Sequence, residues 1–392
     1  MWNSTPIASL CSRVTSGGTP RRDDPSNYAP SEIPWIKTGE LNDGDIWTSE
    51  ESISNRGLEN SSAKMLPSGT VLMAMYGATV GALGRLAIPA TCNQASCAMV
   101  VNPQAADSRW LLYSLMKHRS RIMDLANGAA QQNLNAQIIK SFKLPTPPLP
   151  EQQAIAEVLG ALDDKIAANR ALVATADELA EDIFVAATRA LPERGLDDLV
   201  RPTSGGTPKR DVPEYWTGGT PWVSVRDIHR ESAGAILTTE ESISPAGAAN
   251  SAAKQAPRGT VILTARGTVG EVGRLTTPWA FNQSCYGFIP GDVPPAVLFH
   301  LIRVAARSSR RVAHGSVFST ITTKTMSALT VPDITKLDCP ELETQLAPLH
   351  EVIDGACREA ASLASLRDTL LPALMDGTIR VKDAITKAEE VL

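Results

Sequence analysis

The chain has 392 residues, 43% of them hydrophobic and 20% charged, a balance that is typical of a folded protein with two cores and that excludes a disordered one. The longest apolar stretch, residues 71–86, is broken by three glycines and too short to cross a membrane, and the N-terminus lacks the pattern of a secretory signal, so we predict a cytoplasmic protein. Six cysteines without a CxxC pair or histidines at zinc-finger spacing favour free thiols over disulfides or a metal site.

The net charge of −5 is unexpected for a protein that binds nucleic acid, but the acidic residues are unevenly distributed. Residues 151–190 and 338–392 carry net charges of −5 and −6, whereas residues 1–150 and 191–337 carry +2 and +4. The two mildly basic segments could contact phosphate groups through a local patch. Taken alone, this charge bias is a weak indication of nucleic-acid binding.

An internal repeat with an offset of 187 to 190 residues relates the two basic segments. The motif SGGTPRRD at 16–23 returns as SGGTPKRD at 204–211. Shorter elements return in the same order: PW at 34–35 and 221–222, EESIS at 50–54 and 240–244, GTV at 69–71 and 259–261, TVG at 79–81 and 268–270, and NQ at 93–94 and 282–283. The sequence therefore contains two tandem copies of one domain, which implies two equivalent sites.

Each copy alternates glycine and proline with short runs rich in valine, isoleucine, threonine and tryptophan, a pattern of strands joined by turns. Apolar residues at helical spacing follow in residues 108–125 and 295–312. We predict that each copy is an α+β domain on a twisted, partly closed β-sheet with helices. The residues expected in the cores of the two copies are Trp35 in the first and Trp222, Trp279 and Phe281 in the second.

A heptad seam follows each copy and predicts two long helices, the first after a proline-rich step at 144–150 and roughly 50 Å long. The first seam comprises Ile155, Leu159, Leu162, Ile166, Asn169, Val173, Ala176, Ala180, Ile183 and Ala187. The second comprises Leu342, Leu346, Leu349, Ile353, Ala356, Ala360 and Leu363. Pro348 should kink the second helix or mark its start. We predict a coiled-coil-like antiparallel pair that separates the two domains.

Two alternatives remain open for the seams. Each apolar stripe could cover the core of its own domain, and Asn169 could either fix the register of the helix pair or be solvated at a helix end. The predicted organisation is a first domain at 1–148, a central helix at 149–190, a second domain at 191–337, a C-terminal helix at 338–380 and a tail at 381–392.

This order of elements, with its motifs, resembles the specificity subunit family of Type I restriction-modification systems over essentially the whole chain. The resemblance rests on the duplicated SGGTP, PW and TVG elements, on GAAQQNLN at 128–135, on PLPEQQ at 148–153 and on LLPALMDG at 370–377. The second copy departs from the pattern, because it has GSVFST at 315–320 and lacks the EQQ step. The start of its long helix is therefore less clearly defined.

The resemblance implies that each domain recognises one half of a bipartite site on double-stranded DNA, while the helices set the spacing and bind two methyltransferase (modification) subunits. Those subunits would carry S-adenosylmethionine and methylate adenine at N6, and motor-nuclease (restriction) subunits would join the full complex. The chain has no Walker motif, no adenine-methylase motif and no HExxH, so we expect a non-catalytic subunit without a cofactor or metal of its own. The helix residues expected to bind partners are Ile155, Leu159, Leu162, Ile166, Asn169, Leu346, Leu349, Ile353 and Leu363.

Three segments of each copy, and one helix of the second copy, supply candidate DNA-binding residues, because they offer hydroxyl groups, cations and flexible glycines. The candidates are Thr19, Arg21 and Arg22 with Thr207, Lys209 and Arg210 in the SGGTP loops, Lys37 and Thr38 with Ser224 and Arg226 after the tryptophans, Tyr76 and Thr79 with Arg266 and Thr268 at the TVG turns, and Arg310 and Arg311 in a helix.

Tyr76 and Arg266 are the favoured base contacts, because they occupy corresponding positions and differ, as recognition of different half-sites requires. An arginine can bind a guanine through two hydrogen bonds. Arg85 and Arg274 are identical in both copies and are expected to be structural. The alternatives are plain turns, ordinary surface divergence and solvated arginines. Two other classes of protein also remain open, a helical scaffold without a DNA site and a tandem β module that binds carbohydrate or peptide.

Overall fold

The computed structural model describes residues 2–127, 134–313 and 320–389. The chain divides into two compact units, Met1–Lys165 with Leu363–Leu392, and Ile166–Ser362. Each unit contains one copy of the repeat together with a part of each long helix.

The first copy consists of short strands joined by turns and of four helices. Its strands are β1 (Asn3–Pro6), β2 (Cys11–Ser16), β3 (Ile33–Ile36), β4 (Asp45–Ile46), β5 (Glu51–Ile53), β6 (Val71–Ala74), β7 (Leu83–Leu86), β8 (Thr91–Cys92), β9 (Ser96–Val101) and β10 (Lys143–Thr146). Its helices are α1 (Ile7–Leu10), α2 (Asn55–Glu59), α3 (Ser108–Asn127) and α4 (Ala136–Ser141), and the long helix α5 (Leu149–Thr188) follows.

Two sheets make up most of this domain. Five strands pair in the order β2-β9-β6-β7-β4 and three in the order β5-β3-β8, while β1 pairs with β10 where the chain enters and leaves the domain. β4 lies parallel to β7 and β3 parallel to β8, and the other pairs are antiparallel. The central strand β6 is buried at every position, which is why its sequence is a continuous apolar run.

The second copy has the same topology, as the repeat predicts. Its strands are β11 (Glu193–Gly195), β12 (Thr203–Ser204), β13 (Thr220–Val223), β14 (Ala235–Ile236), β15 (Glu241–Ile243), β16 (Val261–Thr264), β17 (Val272–Leu275), β18 (Ala280–Phe281), β19 (Cys285–Phe288) and β20 (Thr330–Pro332). Its sheets have the orders β12-β19-β16-β17-β14 and β15-β13-β18, with β11 paired to β20. The α+β class is confirmed, and the predicted sheet of each copy is divided into a five-stranded and a three-stranded part.

Helices α2, α3 and α4 of the first copy have counterparts in the second, where a 3₁₀ turn at Leu196–Asp198 takes the place of α1. The counterparts are α6 (Pro245–Ala249), α7 (Pro295–Ala313) and α8 (Thr323–Met326), and the long helix α9 (Cys339–Met375) and a short α10 (Val381–Glu389) follow. The cores contain the expected aromatic residues, since Trp35, Trp222 and Phe281 are buried and Trp279 is partly buried.

The two long helices contact each other within each unit. In the first unit Arg367 of α9 forms an ion pair with Asp163 of α5 at 2.8 Å. In the second unit the Asn169 side-chain amide of α5 donates a hydrogen bond of 2.9 Å to Glu359 of α9. Further along α5 in the second unit, Val173 and Ala176 share a core cluster with Ile353 and Ala356 of α9. Residue numbers therefore rise along α5 as they fall along α9, and the predicted antiparallel pair is confirmed in this unit.

The seam residues expected to bind partners are buried inside this chain, which corrects the prediction for their side chains. Those nine residues are Ile155, Leu159, Leu162, Ile166, Asn169, Leu346, Leu349, Ile353 and Leu363, of which only Leu349 is partly exposed. Phe184 packs with α7 in the core of the second copy, so part of the stripe also covers its own domain. Asn169 is buried and hydrogen-bonded, which favours a role in the register of the pair over solvation at a helix end.

Two details near the C-terminus differ from the prediction. The helix α9 begins at Cys339 and continues through Pro348, so this proline does not mark the helix start. The segment 381–392, predicted as a tail, contains α10. Within the described ranges, no helix has the combination of length and apolar character that crossing a membrane requires.

Candidate nucleic-acid interface

Three loops of the first domain meet at one end of the five-stranded sheet, around a turn at residues 93–95. The Asn93 amide donates to the Ile36 carbonyl at 3.0 Å, where β3 ends, and the Met75 amide donates to the Ala95 carbonyl at 2.8 Å, where β6 ends. The Gly17 amide, just after β2, donates to Ser96 at 3.2 Å. We call this end, formed by residues 17–22, 37–40, 75–81 and 93–95, the loop edge.

The second domain has an equivalent loop edge at residues 205–210, 224–227, 265–270 and 282–284. Here Asn282 donates to the Val223 carbonyl at 2.9 Å, and Ala265 donates to the Ser284 carbonyl at 2.8 Å. The SGGTP loop, the segment after the tryptophan and the TVG turn of each copy thus lie together, although about 50 to 65 residues of sequence separate the first from the last of them.

The glycines of the SGGTP loops are needed for close packing, which corrects the expectation of a flexible loop. A Cβ atom on Gly17 would lie 2.2 Å from the Cys92 carbonyl oxygen, and one on Gly18 would lie 2.2 Å from the Ala63 amide nitrogen. The Trp35 indole N–H donates to the Gly18 carbonyl at 2.9 Å. In the second copy the Trp222 indole donates to Gly206 at the same distance, so both loops are held against the three-stranded sheet.

A threonine of each SGGTP loop is hydrogen-bonded to a glutamine of the central turn. The Thr19 hydroxyl donates to the Gln94 side-chain oxygen, and the Thr207 hydroxyl donates to that of Gln283. The glutamine side chains are exposed. The Asn-Gln pair at 93–94 and 282–283 belongs to the repeat, and its duplication is the only sequence signal for a role of the glutamine.

Arg22 and Arg210 hold the loops in place, and their role as DNA contacts stays a prediction. The Arg22 guanidinium stacks 4.7 Å from the ring of Tyr28 and forms a 2.6 Å ion pair with Glu51. The Arg210 guanidinium stacks 3.7 Å from the ring of Trp216 and is paired with a glutamate of β15 in the same way. The hydrogen bond from Arg22 is the largest influence that lowers the pKa of Glu51.

Lys37, which follows the buried Trp35, is also held in ion pairs. The Lys37 ammonium lies 2.8 Å from Glu50 and 3.0 Å from Glu51, and these acidic groups raise its pKa. Thr38 begins a short 3₁₀ helix and is half-buried. Lys37 is therefore engaged by two acidic groups, whereas Thr38 stays a predicted DNA contact.

The corresponding segment of the second domain contains a helix cap. Ser224 is buried, and its hydroxyl donates to Asp227 at 2.8 Å while accepting from the Arg226 amide at 3.2 Å. Ser224 therefore stabilises the backbone, which corrects its assignment as a DNA contact. The Arg226 side chain is exposed but forms a 3.1 Å ion pair with Glu240.

The strongest remaining candidates lie in the loops that follow β6 and β16. Tyr76 is half-buried and comes two residues after the end of β6, while Arg266 is exposed at the corresponding place after β16. Thr79 is half-buried and Thr268 is exposed in the same two loops. In the part of the chain that the structure describes, no ion-pair partner of Arg266 is found, so its guanidinium faces solvent.

Arg21 and Lys209 are the exposed cations of the SGGTP loops. Arg21 is 80% exposed and forms a surface ion pair with Asp23 at 2.8 Å. Lys209 is exposed, and its backbone carbonyl accepts a hydrogen bond from the Trp216 indole at 3.1 Å. Because a surface ion pair is weak, Arg21 can exchange its contact with Asp23 for a contact with a phosphate group. Lys209 is exposed and can make the same contact.

The helical arginines whose side chains the structure describes contact other residues of their own unit. Arg119 is paired with Asp43 at 2.5 Å and Arg307 with Glu181, while Arg121 lies 5.8 Å from the ring of Phe142. The side chains of Arg310 and Arg311 lie outside the described residues, as do the motif residues 128–133 and 314–319.

Arg85 and Arg274 have the structural role expected of them, but with different partners. Arg85 is paired with Asp45 of the adjacent strand at 2.5 Å. The position corresponding to Asp45 is Ala235 in the second copy, and Arg274 instead pairs at 2.6 Å with Asp354 of α9. Both residues of this second pair are buried, so losing either one would leave an uncompensated charge.

Within the described residues, no group of three or more histidine, cysteine, aspartate or glutamate side chains could hold a metal ion. All six cysteines are free, and four of them are buried. Burial raises the pKa of Cys92, Cys97 and Cys285 to about 12, so these thiols stay protonated and unreactive near neutral pH.

Two equivalent loop edges on two copies of one domain define a protein that binds through two similar surfaces. A family model described as the Type I restriction modification DNA specificity domain matches residues 1–175 and 192–345. The chain therefore belongs to the Type I restriction-modification DNA specificity family, and the resemblance noted from its motifs is confirmed.

Relatives include specificity subunits of several Type I restriction enzymes. That of MjaIX from Methanocaldococcus jannaschii is 25% identical over 163 residues, 41% of this chain and 38% of that protein. That of HindI from Haemophilus influenzae is 23% identical over 190 residues, 47% of this chain and 41% of that protein. The chain thus matches about two fifths of the length of these relatives.

A solved structure, the Type I restriction-modification S subunit from M. genitalium, is similar to this chain with a TM-score of 0.65. The likeness covers 95% of this chain and 96% of that one at 16% sequence identity. At this identity, the comparison shows that the two chains share a fold.

Proposed function

We propose that this chain is the DNA sequence-specificity subunit of a Type I restriction-modification complex. Each domain recognises one half of a bipartite site through its loop edge, and the long helices set the distance between the half-sites. The main support for the proposal is the duplicated loop edge. The two loop edges have the same arrangement of backbone segments but different residues, Tyr76 and Arg266, at one corresponding position. A scaffold without a DNA site would not require two loop edges with the same backbone arrangement and different residues at one position.

The proposal divides the loop edge between two tasks. Residues that differ between the copies, the half-buried Tyr76 and the exposed Arg266, contact bases, because different half-sites need different side chains. Exposed cations of the SGGTP loops, Arg21 and Lys209, contact phosphate groups and position the domain. Thr79 and Thr268, in the adjacent TVG turns, contribute hydroxyl groups to the same DNA-binding surfaces.

The partners belong to the proposal as well. Two methyltransferase subunits dock on the helices, bind S-adenosylmethionine and methylate adenine at N6, and motor-nuclease subunits join for cleavage. The complex acts in the cytoplasm. Because the seam side chains are buried, docking uses other faces of the helices. Leu172 and Leu179 of α5 are 47% and 49% exposed and lie seven residues apart, on one face.

The most direct test compares genomic DNA from host strains with and without this chain, by sequencing that detects methylated adenines. We expect methylation at a bipartite motif in the strain that makes the chain and none at that motif in the other. Methylation that does not depend on the chain would contradict the proposal.

We expect the purified chain alone to transfer no methyl groups to DNA, because it carries no methylase motif. The measurement is incorporation of label from S-adenosylmethionine into duplex DNA, first with the chain alone and then with the methyltransferase subunits added. Incorporation by the chain alone would show that it is an enzyme and overturn the proposal.

Replacing both Leu172 and Leu179 by aspartate should weaken binding of the methyltransferase subunits about tenfold or more, because two charges would be placed in an apolar contact. The unfolding temperature should change little, since both side chains are largely exposed. Ile385→Asp on α10, 43% exposed, is the matched control and should leave assembly intact. Assembly can be measured by analytical ultracentrifugation, and unchanged assembly of the double variant would place the docking surface elsewhere.

A further inference from the structure

We propose that Gln94 and Gln283 are DNA-positioning residues whose side-chain amides donate hydrogen bonds to phosphate oxygens, one in each domain. The inference rests on the proposed function and adds a contact that the motifs alone did not assign. The structural basis is the central turn of each loop edge, where the glutamine is joined to the threonine of the SGGTP loop.

The hydrogen bond from the threonine decides which end of the glutamine is available. Its side-chain oxygen accepts from the Thr19 hydroxyl in the first domain and from the Thr207 hydroxyl in the second. The NH₂ group of each glutamine therefore remains as a two-proton donor on an exposed side chain. A ligand with acceptor oxygens is the complementary partner.

The turn itself is rigidly held, which lowers the entropy cost of such a contact. The Asn93 amide donates to the Ile36 carbonyl at 3.0 Å, and the Ser96 hydroxyl donates to the Asn93 side-chain oxygen at 3.1 Å. In the second domain the Asn282 side-chain oxygen accepts from the Ser284 amide at 3.0 Å. The glutamine thus projects from a fixed platform between the SGGTP loop and the loop that carries the proposed base contact.

Identity between the domains points to phosphate as the acceptor. Tyr76 and Arg266 differ, whereas the threonine and glutamine are the same in both copies. The phosphate backbone is the part of DNA that is alike in any two half-sites, so a contact kept in both domains suits phosphate. A glutamine can also bind adenine through two hydrogen bonds, and the test distinguishes this outcome.

The test uses the full chain assembled with its methyltransferase subunits and a library of DNA duplexes with a randomised core. Selection with the wild-type complex gives its preferred site, and dissociation constants are then measured for that site and its single-base variants at two salt concentrations. The variants are Gln94→Ala and Gln283→Ala. Gln104→Ala is the matched control, because Gln104 is exposed beyond the opposite end of β9.

Each alanine variant should bind about 3- to 10-fold more weakly to every sequence, with the ranking of the single-base variants unchanged. The dependence on salt should also be unchanged, because a neutral amide displaces no counterions. Gln94→Glu should lose more affinity than Gln94→Ala, since a carboxylate cannot donate and repels phosphate. Gln104→Ala should bind as wild type.

Two results would overturn the inference while leaving the proposed function intact. A loss confined to one base position would identify the glutamine as a base contact, and wild-type affinity of both alanine variants would remove it from the interface. If the wild-type complex selected no sequence from the library, the proposed function would fail and the inference with it. Unfolding temperatures of the variants, expected to match wild type, distinguish a lost contact from a damaged fold.

Discussion

Replacing Arg266 by alanine should weaken binding of the assembled complex to its preferred site about 10- to 100-fold and relax specificity at one base pair of one half-site. Arg266 follows a fully buried strand and is exposed at the loop edge. A bidentate contact between arginine and guanine contributes about 1–3 kcal/mol of discrimination against the wrong base, which sets the size of the effect. The other half-site should be recognised as before.

Lys209→Ala is the matched comparison, because Lys209 lies on the loop edge of the same domain and serves as a phosphate contact in the proposal. It should weaken binding to all sequences alike and flatten the salt dependence. The measurement is the affinity of each variant for a set of single-base variants at two salt concentrations. A uniform loss for Arg266→Ala would assign Arg266 to the phosphate contacts, and no loss for either variant would place the DNA surface elsewhere on the domain.

The sequence predicted the architecture well because its strongest signal was a repeat. An offset that stays within 187 to 190 residues can be maintained only if both copies have the same strands in the same order, and the two sets of sheet orders agree with this. The division of each sheet into two parts was not predictable, since it depends on pairings such as β3 with β8, which are distant in sequence. The helix in the predicted tail was missed although its apolar residues have the helical spacing i, i+3, i+4 and i+7, at Val381, Ala384, Ile385 and Ala388.

The candidate site was predicted less completely, since the sequence shows which side chains are present but not which ones pair. Arg22 meets Glu51, and Arg210 meets Glu241, across 29 and 31 residues of sequence. Both acidic residues belong to the EESIS motif, so the repeat contained the partners without indicating that they neutralise the arginines. Ser224 was misassigned because a capping serine and a ligand-binding serine look the same in a sequence.

The exchange of ion-pair partners between Arg85 and Arg274 shows how two copies of one fold diverge while each keeps an ion pair for this arginine. In the first copy Asp45 bridges Arg85 and Arg109, and Arg109 also contacts Asp164 of α5. The second copy has Ala235 in place of Asp45, and its arginine pairs directly with the helix aspartate at 354. In both copies an arginine thus links the sheet side of the domain to the long helix that follows it.

The five histidines suggested no chemistry in the sequence, yet two of them meet in the core of the second unit. His300 Nε2 lies 3.3 Å from His350 Nε2, and His300 Nδ1 lies 3.3 Å from Glu181. A neutral pair satisfies this geometry if His300 donates from Nδ1 to Glu181 and accepts at Nε2 from His350. Both rings are buried, and Phe299 contacts each of them edge to face.

Burial is the largest influence that lowers the pKa of both histidines, to about 2 for His350. Arg274 and Arg303 also disfavour a charged His350, whereas Glu181 opposes the shift at His300. The unfolded chain takes up protons on these rings below about pH 6.5, while the folded chain does not. The stabilisation is therefore fully present above that pH and is lost progressively as the pH falls towards 2.

We expect the free energy of unfolding to fall between pH 7 and pH 5, with His350 alone accounting for about 2 kcal/mol of the loss. His350→Gln, which keeps an N–H donor towards His300, should remove that part of the pH dependence even if it lowers stability at pH 7. His229→Gln is the control for a histidine-to-glutamine substitution at an exposed position. The measurement is urea unfolding of the full chain at both pH values. Each variant is compared with wild type, because His118 in the first unit also contributes to the pH dependence of every curve. Burial lowers the pKa of His118 as well. Equal pH dependence of His350→Gln and wild type would show that His350 takes up a proton in the folded chain as readily as in the unfolded one.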